Sequence, residues 1–169
     1  MSVQDSVPDG DASVVIELEA PGDAQAVADL VEAAFGPGRY AKTAERLREH
    51  NTPIPGLSFV AREDAGRVIG TVRLWPVTVG GERVAFLGPI AVDGAERSQG
   101  LGARLIARAF EAAEGSGFRA MLLVGDEPYF GRFGFVRAKV EMPGPVDPRR
   151  VLIKTLDGAA APEGPAVRP

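Results

Sequence analysis

Leu87-Gly88-Pro89-Ile90-Ala91-Val92, followed after a short polar connection by Arg97-Ser98-Gln99-Gly100-Leu101-Gly102-Ala103, is the stretch on which the reading of this chain turns. The first half has the composition of a strand, but Pro89 has no N–H to give to a ladder and Gly88 invites a bulge. A strand interrupted there parts from its neighbour. The N–H and C=O groups of Ile90, Ala91 and Val92 are then free to pair with an extended, amide-bearing ligand; the plainer reading is an edge strand. The second half leads into a helix over about Gly100 to Glu114, with Leu101, Leu105, Ala109 and Ala113 along one stripe and Arg104, Arg108 and Glu111 on another. Glycines let successive N–H groups of the turn point into one concavity, and the helix start adds unsatisfied donors and ~0.5 unit of positive charge. Such a turn suits a phosphate or a pyrophosphate. No Lys-Ser/Thr pair follows the second Gly, and Leu105 stands where a dinucleotide fingerprint has its third Gly. A tight strand-to-helix turn that binds nothing is the alternative.

Outward from this stretch the chain completes a crossover. Gly115-Ser116-Gly117 closes the helix and Ala120 to Val124 is a short, wholly apolar strand. Strand, helix and buried strand make a right-handed βαβ unit with a parallel pair, which argues against an edge position for Leu87 to Val92. Upstream, Leu57 to Arg62, Val68 to Val79 and Arg83 to Val92 form an antiparallel meander, its second turn marked by Gly80-Gly81. Val14 to Leu18 is a first strand. Asp23 is a candidate N-cap for a helix to Phe35 with Val27, Leu30, Val31 and Ala34 inward, and a more polar helix is expected over Ala41 to His50. Val151 to Leu156 is the last strand. The fold class is α/β (α+β), a mostly antiparallel sheet with one parallel pair and helices on both faces. Residues 1–12 and 157–169, poor in large apolar side chains, are expected to be disordered, leaving a single domain over 13–156.

Composition narrows the chemistry. The chain has 169 residues, 45% of them apolar and 25% charged, as in globular proteins. With no Cys and one His, disulfides, cysteine nucleophiles, thiolate metal sites and a serine–histidine triad fall away, and no metal is expected. A net charge of −4 and dispersed arginines give no basic stripe for nucleic acid. No apolar run reaches the ~18 residues of a membrane helix, and Met1 to Gly10 has no signal-like apolar region, so a cytoplasmic protein is expected.

After the buried strand comes Gly125-Asp126-Glu127-Pro128-Tyr129-Phe130-Gly131-Arg132-Phe133-Gly134-Phe135. Aromatics so dense are commonly packing, yet a tyrosine beside carboxylates at a strand's C-terminal end is an acid/base candidate. The order strand, Arg-x-x-Gly-x-Gly, helix, apolar strand, aromatic segment and Gly-Phe resembles the GNAT superfamily of N-acetyltransferases. The Leu-Gly-Pro strand and the Gly-Asp-x-x-Tyr-Phe-Gly-Arg-Phe-Gly-Phe segment are similar to a bacterial subgroup of it.

The resemblance implies a splayed parallel strand pair and acetyl-CoA as cosubstrate. The backbone of Arg97, Ser98, Gln99, Gly100, Leu101, Gly102 and Ala103 would hold the pyrophosphate, while Ile90, Ala91 and Val92 pair with the pantetheine arm. Ser98 replaces the first glycine of the family's loop. An amine of a small molecule or protein would attack the thioester directly through a tetrahedral intermediate, its oxyanion met by an N–H near Ile90. The family's proton donor to the thiolate is a tyrosine four residues before the Gly of Gly-Phe, a position held here by Phe130. Tyr129 is therefore the candidate acid; alternatively the thiolate leaves unaided, or the chain is a non-catalytic acyl-CoA sensor. Asp126 is the candidate base. The amine's identity stays open, and so does a homodimer.

Overall fold

The computed structural model describes residues 14–94 and 100–169. Along the chain the elements are β1 (Val15–Leu18), α1 (Ala24–Phe35), α2 (Thr43–Arg46), β2 (Phe59–Arg62), β3 (Val68–Val79) and β4 (Glu82–Val92). They continue with α3 (Leu101–Ala113), β5 (Ala120–Val124), α4 (Glu127–Gly131), β6 (Val136–Arg137), β7 (Val140–Glu141), β8 (Val151–Thr155) and β9 (Gly164–Val167). The sheet runs in the order β1-β2-β3-β4-β5-β8-β6, antiparallel throughout except for the β4–β5 pair. Off this path, β9 pairs antiparallel with the end of β3 and parallel with the two residues of β7.

Alternation along the strands sends two sets of side chains to opposite faces. On one, Phe59, Ala61, Val72 and Leu74 pack against the stripe Leu101, Leu105, Ala109 and Ala113 of α3. The other is covered in two parts: Val27 and Val31 of α1 close over Val60, Val68 and Ala91, while Leu47 sits with Trp75, Phe86, Leu122 and Val151. Val140, Met142 and Val146 roof this second part. Thr43 joins the roof to α2 by donating its hydroxyl to the Pro145 carbonyl. The mixed sheet with helices on both faces thus agrees with the sequence reading.

Three expectations are corrected. The helix expected over Ala41 to His50 is a 3-10 turn over Pro37–Ala41, then the single turn α2, then irregular backbone in which His50 takes a φ of 56°. Its apolar positions are too few to anchor a longer amphipathic face. Asp23 is the N-cap residue of α1 as expected, but its carboxylate makes no cap bond to that helix and faces backwards, accepting the Ala20 N–H at 2.9 Å and bonding Arg62. The expected disordered tail over 157–169 contains β9, whose Ala166 is 4% exposed. Small residues are what this site admits: a Cβ on Gly80 would run into the Glu163 carbonyl, and one on Gly164 would lie 3.1 Å from Gly80 Cα. The expectation for residues 1–12 lies outside the described residues.

Candidate active site

Two neighbouring strands separate at the centre of the sheet. β4 and β5 are paired only over Val84–Phe86 and Ala120–Leu122, although β4 continues to Val92 and β5 to Val124. The cause lies in the β3–β4 register, where Val72 faces Ile90 and Leu74 faces Leu87, so that Gly88-Pro89 stand opposite the single residue Arg73. This bulge bends β4, which stays with β3, while β5 follows β8 to the pair Val124↔Val151. Ile90, Ala91 and Val92 keep their ladder to Val72, Thr71 and Gly70, and among the described residues no strand meets them on the β5 side. The opening is a fork with its throat at Phe86 and Leu122.

The helix that begins beside the fork starts on Gly100, whose φ of 74° is the left-handed conformation glycine tolerates. Leu101 is buried in the core below, and Gly102 and Ala103 are half-buried. Arg97, Ser98 and Gln99 lie outside the described residues. The aromatic segment folds back onto this turn: the Tyr129 hydroxyl lies 3.2 Å from the point where a Cβ on Gly102 would sit. Arg132 stacks over the Tyr129 ring at 4.6 Å, and Asp126 caps α4 by accepting the Tyr129 backbone N–H at 3.1 Å. The Tyr129 and Phe130 rings meet edge to face, 4.9 Å between centroids and 87° between planes. Phe130 occupies the space that the missing Cβ of Gly125 leaves and packs on Phe135, facing the core. The structure therefore brings Gly102 and Tyr129 together. It gives the Asp126 carboxylate a capping bond, which a base would have to release, and ties Glu127 to Arg137 at 2.8 Å.

The face opposite α3 carries further polar side chains. Trp75 is buried and donates its indole N–H to the Gly88 carbonyl, holding the bulge from below. Arg73 makes two bonds to Glu19, at 3.0 and 2.6 Å. Arg48 reaches the throat: its guanidinium stands 5.3 Å from the Phe86 ring centroid, and its Nη2 lies 2.8 Å from where a Cβ on Gly88 would be. Nη1 bonds Glu45 at 3.1 Å, and Nε is buried with no partner among the described residues. Burial pushes the Arg48 guanidinium down from its ordinary pKa against the opposing pull of Glu45. Arg48 sits in a polar turn with no motif around it, so only the folded chain reveals its position. A separate cavity of about 240 Å³ lies beside Glu19, Pro53, Ile54 and Ser58.

A bulged strand, a fork and a glycine-started helix at its mouth coincide with a match of the family model "Acetyltransferase (GNAT) family" to residues 24–135. The chain belongs to the GNAT acetyltransferase family. It is 36% identical over 124 residues to the uncharacterized N-acetyltransferase YhbS of Escherichia coli (strain K12), covering 72% of this chain and 73% of that protein. The crystal structure of YhbS from Escherichia coli in complex with CoA superposes with a TM-score of 0.74 at 27% identity, covering 98% of this chain and 92% of that one. A GNAT family acetyltransferase from Brucella melitensis in complex with acetyl-CoA matches with a TM-score of 0.69 at 30% identity, over 92% and 96% of the two chains.

Among the described residues no group of His, Cys, Asp and Glu could hold a metal ion. Among them, too, no helix is long and apolar enough to cross a membrane.

Proposed function

We propose that this protein transfers the acetyl group of acetyl-CoA to a primary amine. One observation carries the reading: among the described residues the β5-facing side of Ile90 to Val92 has no strand partner, in a fork with the glycine-started α3 at its mouth. The likeness to relatives solved with CoA and acetyl-CoA supports it. Acetyl-CoA supplies an activated acyl group whose transfer forms a C–N bond, breaks a C–S bond and releases a thiol. Ile90, Ala91 and Val92 offer backbone groups to the amides of the pantetheine arm, fixing the thioester for attack. Gly100, Leu101, Gly102 and Ala103, with Arg97, Ser98 and Gln99 before them, hold the diphosphate at the start of α3, where N–H donors and the helix dipole converge. A backbone N–H near Ile90 meets the developing oxyanion; losing such a donor typically costs ~3–4 kcal/mol of barrier. Tyr129 is the proton donor for the leaving thiolate, and the proton that the amine gives up to solvent as the C–N bond forms restores the phenol.

Phe130 favours a second reading, an acyl-CoA sensor without turnover, because the side chain at the family's tyrosine position has no ionisable proton and packs against the core. Calorimetry with acetyl-CoA, then CoA release over a panel of primary amines, separates the two. The transferase reading expects saturable binding and amine-dependent release. Binding without release from any amine selects the sensor, and no binding ends both.

A further inference from the structure

The throat of the fork carries a cation that cofactor binding does not use. Arg48 lies on the face opposite α3, over Phe86, the last β4 residue paired with β5, and against Gly88 at the start of the bulge. On the reading above, the arm runs from the start of α3 along Val92 to Ile90, so its reactive end points toward Gly88 and Arg48. The side chain of Arg48 is only 14% exposed and that of Glu45 16%. Of the five guanidinium donors, Glu45 takes one through Nη1, and the buried Nε has no partner among the described residues. Glu45 already balances the charge at Nη1, and Nη2, set against Gly88 at the bulge, is the donor that faces the reactive end of the arm. The planar fork of a guanidinium is suited to a carboxylate, which it binds through two parallel bonds. The Glu45 carboxylate, bonded to Nη1, holds the guanidinium in this place. An amine that carries a carboxylate one carbon away can set the carboxylate on Nη2 while its nitrogen, once deprotonated, reaches the thioester beside Gly88.

We propose that the acceptor is a free α-amino acid, its carboxylate received by Arg48 so that the neighbouring amine faces the bulge at Gly88. The inference rests on the transferase reading and narrows its substrate class. Arg48 is a specificity residue that touches the acceptor away from the reacting atoms. A decarboxylated amine loses this contact, as does an amino acid presented to a variant without the guanidinium.

The test uses the full chain, acetyl-CoA and matched pairs: leucine against isopentylamine, phenylalanine against phenethylamine, methionine against its decarboxylated amine. CoA release is expected to be at least about 10-fold more efficient in kcat/KM for the amino acid of the preferred pair. Arg48→Met is expected to raise KM for that amino acid about 100-fold, with a smaller change in kcat, and to bring the ratio within the pair close to one. Calorimetry should give the variant the same affinity for acetyl-CoA as the parent, a readout that a merely structural role of Arg48 would move. Should Arg48→Met fail to fold, Arg48→Lys keeps the charge without the planar fork and is expected to give an intermediate ratio; the comparison within pairs on the unaltered chain needs no variant. Equal or better turnover of the decarboxylated amines overturns the proposal, as does an Arg48→Met effect of equal size on both members. Acetyl-CoA binding without release from any amine also overturns it, whereas absence of acetyl-CoA binding sinks the transferase reading itself.

Discussion

At the scale of single residues, the aromatic segment separates two neighbours by direction. Asp126 fixes the first turn of α4 through the Tyr129 N–H, after which Phe130 turns into the core and Tyr129 toward the start of α3. Of the two tyrosines in the chain, Tyr40 is 53% exposed on the far turn beside Arg39. Tyr129 is the phenol that faces the helix beside the fork. If it protonates the leaving thiolate, Tyr129→Phe lowers kcat by about 100-fold or more and leaves KM for acetyl-CoA unchanged. Steady-state kinetics with the best amine of the panel reads this directly. A rise in KM for acetyl-CoA at constant kcat would instead make the hydroxyl a holder of the diphosphate end, the role its closeness to Gly102 also permits. The sequence exposes the substitution of Phe130 for the usual tyrosine, but not the direction of either ring, because direction depends on where the cap begins the helix.

At the scale of elements, what was legible is what local chemistry dictates. β3, β4, α3 and β5 fall within a residue or two of the sequence reading, since β-branched runs, a Gly-Gly turn and a helical stripe each allow one conformation that buries their apolar side chains. The bulge was legible because proline cannot enter a ladder. The polar segment after α1 was not, since its helix-forming residues lack an apolar face and tertiary bonds decide its path: Asn51 Nδ2 binds the Leu47 and Pro76 carbonyls. Asp23 is a similar case, drawn from a capping role to a tertiary one. Its carboxylate accepts from the Ala20 N–H and from Arg62, which also binds Glu17 at 2.7 Å, so that β1, β2 and the start of α1 are tied together. The Ala20 bond, and then Arg62, hold the Asp23 carboxyl below its ordinary value of 3.8, against the effect of burial. A lowered folded-state pKa means stabilisation that is complete above the unfolded value and is lost as pH falls through the folded one. Asp23→Asn should therefore cost about 1–3 kcal/mol at pH 7. The gap to the parent should narrow steadily below about pH 4. Urea titrations of both proteins at neutral and acid pH measure it, and a gap independent of pH would remove the charge from the account.

At the scale of the whole molecule, the end of the chain is where composition misled. A stretch of Ala, Gly and Pro offers little apolar area, and read alone it has too little to offset its ordering. Its place in the fold supplies what it lacks: Thr78 and Val79 pair with Val167 and Ala166, the Gly80 N–H donates to the Pro165 carbonyl at 3.1 Å, and Gly164 donates to Lys139. Arg168 reaches the Glu49 carbonyl at 2.7 Å, one residue from the segment that carries Arg48. β9 thus closes the β3 edge left uncovered where β2 ends, and shields Val77 and Val79, both at most 2% exposed. Deleting residues 159–169 uncovers that edge and the wall of the second core. The expected cost is about 2 kcal/mol, which for a chain of this size lowers Tm by ~4–8 °C. The fork proposed to hold the cofactor lies across β4 from this edge, so acetyl-CoA affinity should stay within about threefold of the parent, since well-separated sites behave independently. Amino-acid KM should rise, because the Arg168–Glu49 tie steadies the turn that presents Arg48. Calorimetric melting and acetyl-CoA titration of the truncated chain decide the matter. An unchanged Tm would return the last residues to a loose tail, and a lost cofactor site would mean that the fork depends on the far edge of the sheet.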